Sequence, residues 1–148
     1  MFCPNLVTWN FRRSNQGMNI KDIMTDRVAT VEMDDPLSIV KEVFDNCQFH
    51  HLLVVHRGQL SGVVSDRDLL RAISPYLGTV SENVRDTQTL SQRVHKIMTR
   101  KPITLDETAS VADAIDVFNT ERISCIPIVD AESRPIGIVS WRDVMKVV

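Results

Sequence analysis

Apolar positions recur at helical spacing in one segment of each half of the chain. These positions are Leu37, Val40 and Phe44 in the first half, and Val111, Ala114, Ile115 and Phe118 in the second. Residues three and four apart lie on one side of a helix, so both segments predict an amphipathic helix. Asp35 and Pro36 suit the cap and the first turn of the first helix, and Ser110 can cap the second.

Short apolar runs surround each predicted helix and predict buried strands. They lie near residues 29–32, 52–56 and 60–65, and again near residues 103–106, 126–130 and 136–140. Polar turns at residues 57–58 and 131–135 join the last two runs of each set, which is the pattern of a hairpin. Further helices are predicted to begin at Ser65 and Ser140. The predicted order is therefore strand, helix, strand, strand, helix, twice over.

The two halves of the chain are copies of one unit. Ile23-Met24-Thr25 recurs 74 residues later as Ile97-Met98-Thr99, and GVVSDRD at residues 62–68 recurs 75 residues later as GIVSWRD at residues 137–143. Two copies that differ by one inserted residue indicate a duplicated unit rather than a long solenoid. Between them lies a polar stretch that predicts a linker, with a helix of its own near residues 86–96.

This pattern resembles the cystathionine-β-synthase (CBS) domain family. The paired Ile-Met-Thr openings, the β-α-β-β-α order and the closing Gly-hydrophobic-x-Ser-x-x-Asp motifs all match, over residues 19–148. The resemblance implies a mixed α/β (α+β) fold, in which two tandem CBS units are related by a pseudo-two-fold axis and form one Bateman module. We divide the chain accordingly into an N-terminal tail at residues 1–18, a first CBS unit at 19–74, a linker with a helix at 75–93 and a second CBS unit at 94–148.

The resemblance also implies regulation by a small molecule. Similar proteins bind AMP, ADP, ATP or S-adenosylmethionine in clefts between their units, and they commonly dimerise. We expect a stand-alone regulatory module that senses an adenine nucleotide or S-adenosylmethionine, is not an enzyme and requires no cofactor. A homodimer and an unidentified regulated protein partner are expected with it. The alternative is a ligand-free dimerisation or protein-interaction module that regulates a partner chain.

The closing motif has a physical means of holding a nucleotide. Where a strand ends and a helix begins, unpaired N–H groups and the helix dipole favour an anion. Ser65 and Ser140 can add a hydroxyl to a phosphate oxygen, and Asp68 and Asp143 can accept hydrogen bonds from the ribose hydroxyls. The same Ser-x-x-Asp spacing is also that of a capping box, which stabilises a helix without any ligand. Trp141, beside Ser140, could stack on a base or pack at a dimer interface, and we favour packing.

Other residues near this motif are further candidates for ligand contacts. Arg67 and Arg142 could neutralise phosphates or lie on a solvated helix face, and His51, which stands where the family often has a histidine, could touch a phosphate. Gly62 and Gly137 carry no side chain that blocks close approach of a ligand. The family's base-contacting segment corresponds to Val28, Ala29 and Thr30 in the first copy and to Pro102, Ile103 and Thr104 in the second.

Composition disfavours several other classes of protein. The 148 residues are 43% hydrophobic and 24% charged, and a formal net charge of −2 gives no broad attraction to nucleic acid or anionic membranes. No apolar run approaches the ~20 residues that span a bilayer. Residues 1–17 show neither periodicity nor a secretory signal, so we interpret them as a tail rather than as an arm that covers an apolar groove.

The cysteines and histidines indicate neither a disulfide framework nor a metal site. Cys3, Cys47 and Cys125 are far apart, and we interpret them as two buried thiols and one in the tail. A reducing cytoplasm fits this pattern best. His50 and His51 are neighbours in sequence, and neighbouring strand positions point to opposite faces, so the two rings are not expected to converge on one ion.

Overall fold

The computed structural model describes residues 17–148, which form two compact units. The central unit is Ala29–Pro102, and the terminal unit joins residues 17–28 to Ile103–Val148. Residues 1–16, which include Cys3 and most of the predicted tail, lie outside the described part of the chain. Each unit contains the opening segment of one sequence repeat and the remainder of the other.

The central unit is a four-stranded sheet with three α-helices. Its elements are, in chain order, β1 Thr30–Glu32, α1 Leu37–Asn46, β2 His51–His56, β3 Gln59–Ser65, α2 Asp66–Ala72, α3 Val84–Gln88 and β4 Thr99–Arg100. The sheet order is β1-β2-β3-β4, with β1 parallel to β2 and the other neighbours antiparallel. Two 3₁₀ turns, Thr89–Ser91 and Val94–Lys96, follow α3 and lead into β4.

The terminal unit repeats this arrangement with a three-stranded sheet. Its elements are a 3₁₀ turn Ile20–Asp22, followed by β5 Leu105–Asp106, α4 Val111–Thr120, β6 Cys125–Val129, β7 Pro135–Ser140 and α5 Trp141–Met145. The sheet order is β5-β6-β7, with β5 parallel and β7 antiparallel to β6. Both units confirm the predicted strand, helix, strand, strand, helix order and the mixed α/β fold class.

Each unit buries the predicted apolar face of its first helix against its own sheet. The core of the central unit combines helix and sheet residues, among them Leu37, Val40, Leu52, Val54 and Val64. The core of the terminal unit does the same with Ala114, Ile126, Ile128, Val139 and Val144. Full burial of an aliphatic side chain stabilises a fold by about 1.5–3 kcal/mol, so these faces fix α1 and α4 on their sheets.

The opening Ile-Met-Thr segment of each repeat pairs with the hairpin of the other repeat. In the terminal unit, the Thr25 N–H donates to the Ile138 carbonyl at 2.9 Å, and the Ile138 N–H donates to the Thr25 carbonyl at 3.0 Å. In the central unit, Val63 of β3 lies opposite Thr99 of β4. Thr25 and Thr99 are equivalent positions of the two repeats, as are Ile138 and Val63. Both units therefore make the same exchange of opening segments.

This exchange gives the glycine of each closing motif a packing role. A Cβ atom added to Gly62 would lie 2.7 Å from Met98 Sδ and 2.8 Å from the Thr99 carbonyl oxygen, whereas ordinary van der Waals contact begins at 3.4 Å. A Cβ atom added to Gly137 would lie closest to Met24 Sδ and 3.2 Å from the Thr25 carbonyl oxygen, so the tight contact there is with a flexible side chain. Both glycines thus face a packed opening segment, and the contact with backbone is the tighter one at Gly62.

The two first helices begin differently, and one predicted cap is wrong. Ser110 caps α4 as predicted, since its Oγ accepts the Asp113 N–H at 3.1 Å. Pro36 occupies the cap position of α1 and makes no side-chain hydrogen bond. Asp35 does not cap this helix, because its Oδ2 accepts the Glu32 N–H at 2.8 Å and closes the turn after β1.

Two further local predictions differ from the structure. The linker helix α3 starts earlier and is shorter than predicted, because the Asn83 side chain caps it and the chain is extended at Gln92. Cys47 is exposed, contrary to the prediction of a buried thiol, since it follows the last turn of α1 in an extended conformation. Cys125 is buried as predicted, and burial raises the pKa of its thiol to about 12.

Candidate functional site

The central junction, which we define as Ser65 and Asp68 where β3 ends and α2 begins, is a complete capping box. The Ser65 N–H donates to Asp68 Oδ2 at 2.9 Å, and the Asp68 N–H donates to Ser65 Oγ at 3.1 Å. Both residues are half-buried. Within residues 17–148, Asp68 Oδ1 has no hydrogen-bond partner. The junction thus confirms the capping interpretation and also leaves one carboxylate oxygen available to a ribose hydroxyl.

The terminal junction, which we define as Ser140 and Asp143 where β7 ends and α5 begins, has the same two residue types but a different set of hydrogen bonds. Asp143 Oδ2 accepts both the Ser140 N–H at 2.8 Å and the Ser140 hydroxyl at 2.9 Å. Asp143 Oδ1 accepts a hydrogen bond from Lys146 Nζ at 3.3 Å. The Lys146 side chain is 75% exposed, so this ion pair contributes little stability and a ligand could displace it.

In the central unit, two predicted base-contacting residues and a predicted phosphate contact lie at the same end of the sheet as the junction. Ala29 accepts the Leu53 N–H at 3.1 Å just before β1, and Thr30 begins that strand. β1 runs parallel to β2, and β3 runs antiparallel to β2, so the last residue of β3, Ser65, lies at the sheet end where β1 and β2 begin. His51, the first residue of β2, is the register partner of Ser65. Since neighbouring strands are about 4.8 Å apart, the start of β1 and the junction are separated by roughly 10 Å across β2.

The terminal unit has the corresponding arrangement. Leu105 at the start of β5 pairs with Ile128, and Cys125 at the start of β6 pairs with Ser140. Ile103 and Thr104 immediately precede β5, and both are exposed. They therefore lie beside the first residues of β6, at the sheet end where the terminal junction lies.

The boundaries between the two units fall inside both predicted base-contacting segments. Val28 ends the first part of the terminal unit, and Ala29 begins the central unit. Pro102 ends the central unit, and Ile103 begins the second part of the terminal unit. Each predicted segment of three residues is thus divided between the units, and only two of the three lie in the same unit as the junction of their repeat.

The two candidate arginines are exposed rather than packed. Arg67 and Arg142 lie in the first turns of α2 and α5. Arg142 Cζ lies 5.6 Å from the ring centroid of Trp141, within the range of a cation–π interaction. Trp141 is itself 50% exposed, so it forms no part of the core of the terminal unit. Its predicted packing at a dimer interface stays a prediction.

Sequence reasoning missed the hydrogen-bonded pair of His50 and Asp66 beside the central junction. His50 Nδ1 lies 3.0 Å from Asp66 Oδ2, and the Asp66 N–H donates to the His50 carbonyl at 3.0 Å. Partial burial acts to raise the pKa of Asp66, but the hydrogen bond from His50 and the neighbouring positive charges outweigh it, and the pKa lies below its ordinary value. The terminal unit has the same backbone bond, from the Trp141 N–H to the Ser124 carbonyl at 3.4 Å, but its residues carry no ionisable pair, so comparison of the repeats gives no sequence signal for His50 and Asp66.

The remaining predicted features concern metal ions and membranes. Among residues 17–148, no group of three His, Cys, Asp or Glu side chains converges as a metal site would require. None of the helices in this part of the chain has the length and apolar character needed to cross a bilayer.

The chain resembles known proteins in both sequence and structure. The CBS domain family matches this chain twice, at residues 20–75 and 94–148. A CBS domain-containing protein of Dictyostelium discoideum is 28% identical over 128 residues, which are 85% of this chain and 88% of that protein. Seven other curated relatives are longer proteins, and this chain spans from 21% to 46% of their lengths.

Solved structures share the fold over most of the chain. The CBS domain of a CBS domain-containing membrane protein from Sphaerobacter thermophilus is 27% identical, with a TM-score of 0.79 over 96% of this chain and 94% of that one. The CBS-pair protein CBSX2 of Arabidopsis thaliana, solved in complex with AMP, is 26% identical, with a TM-score of 0.72 over 88% of this chain and 95% of that one. The family match to both repeats, together with this shared architecture, shows that the chain belongs to the CBS domain family and carries a tandem CBS pair, or Bateman module.

Proposed function

We propose that this chain is a regulatory CBS pair that binds AMP, ADP, ATP or S-adenosylmethionine and is not itself an enzyme. The observation that most supports the proposal is the set of polar residues that each sheet brings together at one of its ends. That end holds a serine hydroxyl and a half-buried aspartate of the strand–helix junction, beside residues at the start of the first strand. The similarity to the Arabidopsis thaliana CBS pair in complex with AMP supports the choice of an adenine ligand.

The aspartates are assigned to the ribose. Asp68 keeps Oδ2 in its capping box and offers Oδ1 to the 2′- and 3′-hydroxyls, and Asp143 takes the same role once Lys146 releases its Oδ1. Hydrogen bonds to a charged acceptor contribute about 1.5–3 kcal/mol each. Two such bonds supply a large share of the roughly 8.2 kcal/mol that a micromolar ligand requires, and burial of the base adds to them.

The other candidates complete the proposed site. Ser65, Ser140, Arg67, Arg142 and His51 are assigned to the phosphates, and Val28, Ala29, Thr30, Pro102, Ile103 and Thr104 to the base. The Cβ positions of Gly62 and Gly137 face the packed opening segments, so the close approach of a ligand proposed at these glycines concerns their backbone. We also propose that the chain acts as a homodimer and passes the ligand signal to a protein partner.

Calorimetric titration of the full chain, stripped of bound nucleotide, tests the proposal. AMP, ADP, ATP and S-adenosylmethionine are compared with GMP as a control without adenine. The variants are Asp68→Ala and Asp143→Ala, singly and together. Asp113→Ala is the matched control, because Asp113 closes a capping box with Ser110 at the start of α4 and lies at neither junction.

We expect one adenine ligand to bind and the double variant to weaken its binding by at least about 100-fold, the lower limit for the loss of two hydrogen bonds to a carboxylate. Asp113→Ala loses the same kind of helix cap, so its affinity should stay at the wild-type value. Equal affinity in the double variant and the wild type would refute the assignment of the aspartates. Absence of binding by any adenine ligand would favour the ligand-free interaction module.

A further inference from the structure

An open groove lies in the central unit between the start of α1 and the linker. Its volume is about 470 Å³, which is within the range of sites for small molecules. Its lining residues are Pro36, Ser38, Thr87, Leu90, Ser91 and Arg93. None of the six is a candidate for the nucleotide, so the groove is a separate feature of the unit.

The charge of the groove comes from one arginine. Arg93 is the single charged residue among the six that line it, and no carboxylate is among them. Arg93 Nη1 donates to the Asp34 carbonyl at 2.9 Å, which holds the guanidinium in place. An arginine has five N–H donors, and within residues 17–148 the others have no hydrogen-bond partner. The groove therefore presents an anchored cation with unused donors.

Three hydroxyl groups face the same space as this cation. Ser38 and Ser91 make no side-chain hydrogen bond to any residue in 17–148. The Thr87 hydroxyl donates to the Val84 carbonyl at 2.9 Å, so its oxygen can only accept a further hydrogen bond. Pro36 and Leu90 add apolar surface. The hydroxyl donors of Ser38 and Ser91 beside a guanidinium suit an oxyanion attached to an organic group.

The wall that carries Arg93 is fixed in position before any ligand binds. The Ser74 hydroxyl donates to Asp86 Oδ1 at 2.7 Å, and Asp86 is only 8% exposed. Gln92 Nε2 donates to the Ala72 carbonyl at 2.9 Å, and the Gln92 carbonyl accepts the Leu37 N–H at 2.8 Å. These bonds tie the linker to the end of α2 and the start of α1. A groove held open in this way requires little ordering on binding.

We propose that this groove binds the phosphate group of a small phosphomonoester, at a site independent of the nucleotide site proposed above. Arg93 takes the phosphate through its unused N–H donors, and the hydroxyls of Ser38 and Ser91 donate to the remaining oxygens. Pro36 and Leu90 contact the organic part of the molecule. The site belongs to the central unit, because all six lining residues lie within Ala29–Pro102.

Two-dimensional NMR of the ¹⁵N-labelled full chain tests this proposal, with inorganic phosphate and phenyl phosphate as probes and sodium chloride at matched ionic strength as control. The expected result is saturable shifts of amides in residues 37–39 and 87–94, with tighter binding of phenyl phosphate. Arg93→Gln should weaken both probes at least fivefold. Arg85→Gln is the matched control, since Arg85 is an exposed arginine of the same linker outside the groove.

The same titration in the Asp68→Ala/Asp143→Ala background separates this site from the nucleotide site, because phosphate binding in the groove should persist there. Ser38→Ala/Ser91→Ala gives a second way to weaken the groove should Arg93→Gln perturb the fold. Shifts that sodium chloride reproduces, shifts confined to the two junctions, or equal affinity in Arg93→Gln and Arg85→Gln would each overturn the proposal.

Discussion

The central and terminal junctions use the same residue types at equivalent positions, yet they distribute their hydrogen bonds differently. Both junctions are capping boxes, but Ser65 Oγ accepts the Asp68 N–H, whereas the Ser140 hydroxyl donates to the Asp143 carboxylate. Asp68 Oδ1 has no partner in the described part of the chain, whereas Asp143 Oδ1 accepts from Lys146. Lys146 lies outside the shared motif. A motif can thus repeat while its chemistry does not, because neighbours decide which oxygen is available.

The largest expected difference between the units concerns the glycine of each motif. In Gly62→Ala the new methyl group meets a backbone carbonyl at 2.8 Å, and a paired strand cannot easily move away. In Gly137→Ala the closest atom belongs to the flexible Met24 side chain, and the Thr25 carbonyl is 3.2 Å away. We expect losses in the free energy of unfolding of about 3 kcal/mol for Gly62→Ala and about 1–2 kcal/mol for Gly137→Ala.

Urea unfolding followed by circular dichroism measures these losses, and hydrogen exchange assigns each loss to its unit. Faster exchange should appear in β3 and β4 for Gly62→Ala, and in β7 and residues 23–25 for Gly137→Ala. Equal losses in the two variants would show that the carbonyl contact at Gly62 relaxes as easily as a methionine side chain.

The serines of the two junctions should differ by a smaller amount. Ser65→Ala leaves the Asp68 N–H without its acceptor, so we expect a loss of about 1 kcal/mol in the free energy of unfolding. Ser140→Ala removes a donor to an oxygen that still accepts a backbone N–H at 2.8 Å, and about 0.5 kcal/mol is expected. Thermal and urea unfolding of both variants check the order. A greater loss in Ser140→Ala would contradict the hydrogen-bond assignment at the terminal junction.

The residues immediately before the two predicted base-contacting segments, Arg27 and Lys101, differ in backbone conformation. Lys101 adopts a φ of 47°, in the left-handed region that favours glycine, whereas Arg27, its equivalent in the first repeat, is not among the described residues with positive φ. Lys101→Gly should therefore stabilise the fold by about 0.5–1 kcal/mol. Arg27→Gly relieves no such strain and should be neutral or slightly destabilising. Stabilisation of similar size in both variants would mean that the backbone conformation of Lys101 is not the cause.

The pair of His50 and Asp66 beside the central junction gives the smallest expected effect, and the size of this effect depends on pH. Because the pKa of Asp66 is lowered in the folded state, its carboxylate contributes stability above the ordinary value of 3.8 and loses that contribution as pH falls through the lower folded-state pKa. Stability curves of the wild type and Asp66→Asn between pH 6 and 3 should therefore converge below about pH 4. The terminal unit has Ser124 and Trp141 at these positions, and Trp141→Phe should show no such convergence. A constant gap between the wild type and Asp66→Asn would contradict the pairing with His50.

The sequence by itself determined the duplication, the order of the elements and most of the helix and strand segments. These follow from local properties, since the periodicity of apolar residues and a cap such as Ser110 act within a few neighbouring positions. It also indicated Ser65, Asp68, Ser140 and Asp143 as the pairs that begin the closing helices. It could not specify how those pairs share their hydrogen bonds, because Lys146, which donates to Asp143 Oδ1, lies outside the motif.

Only the tertiary structure decided which repeat each opening segment packs against. Thr25 could pair equally well with Val63 or with Ile138, since the two hairpins present equivalent backbone groups and each has a glycine beside the pairing position. A duplicated sequence makes the two choices chemically alike, so periodicity and motif spacing cannot separate them. The hydrogen bonds between Thr25 and Ile138 give the answer, and they join residues far apart along the chain, which local periodicity does not encode.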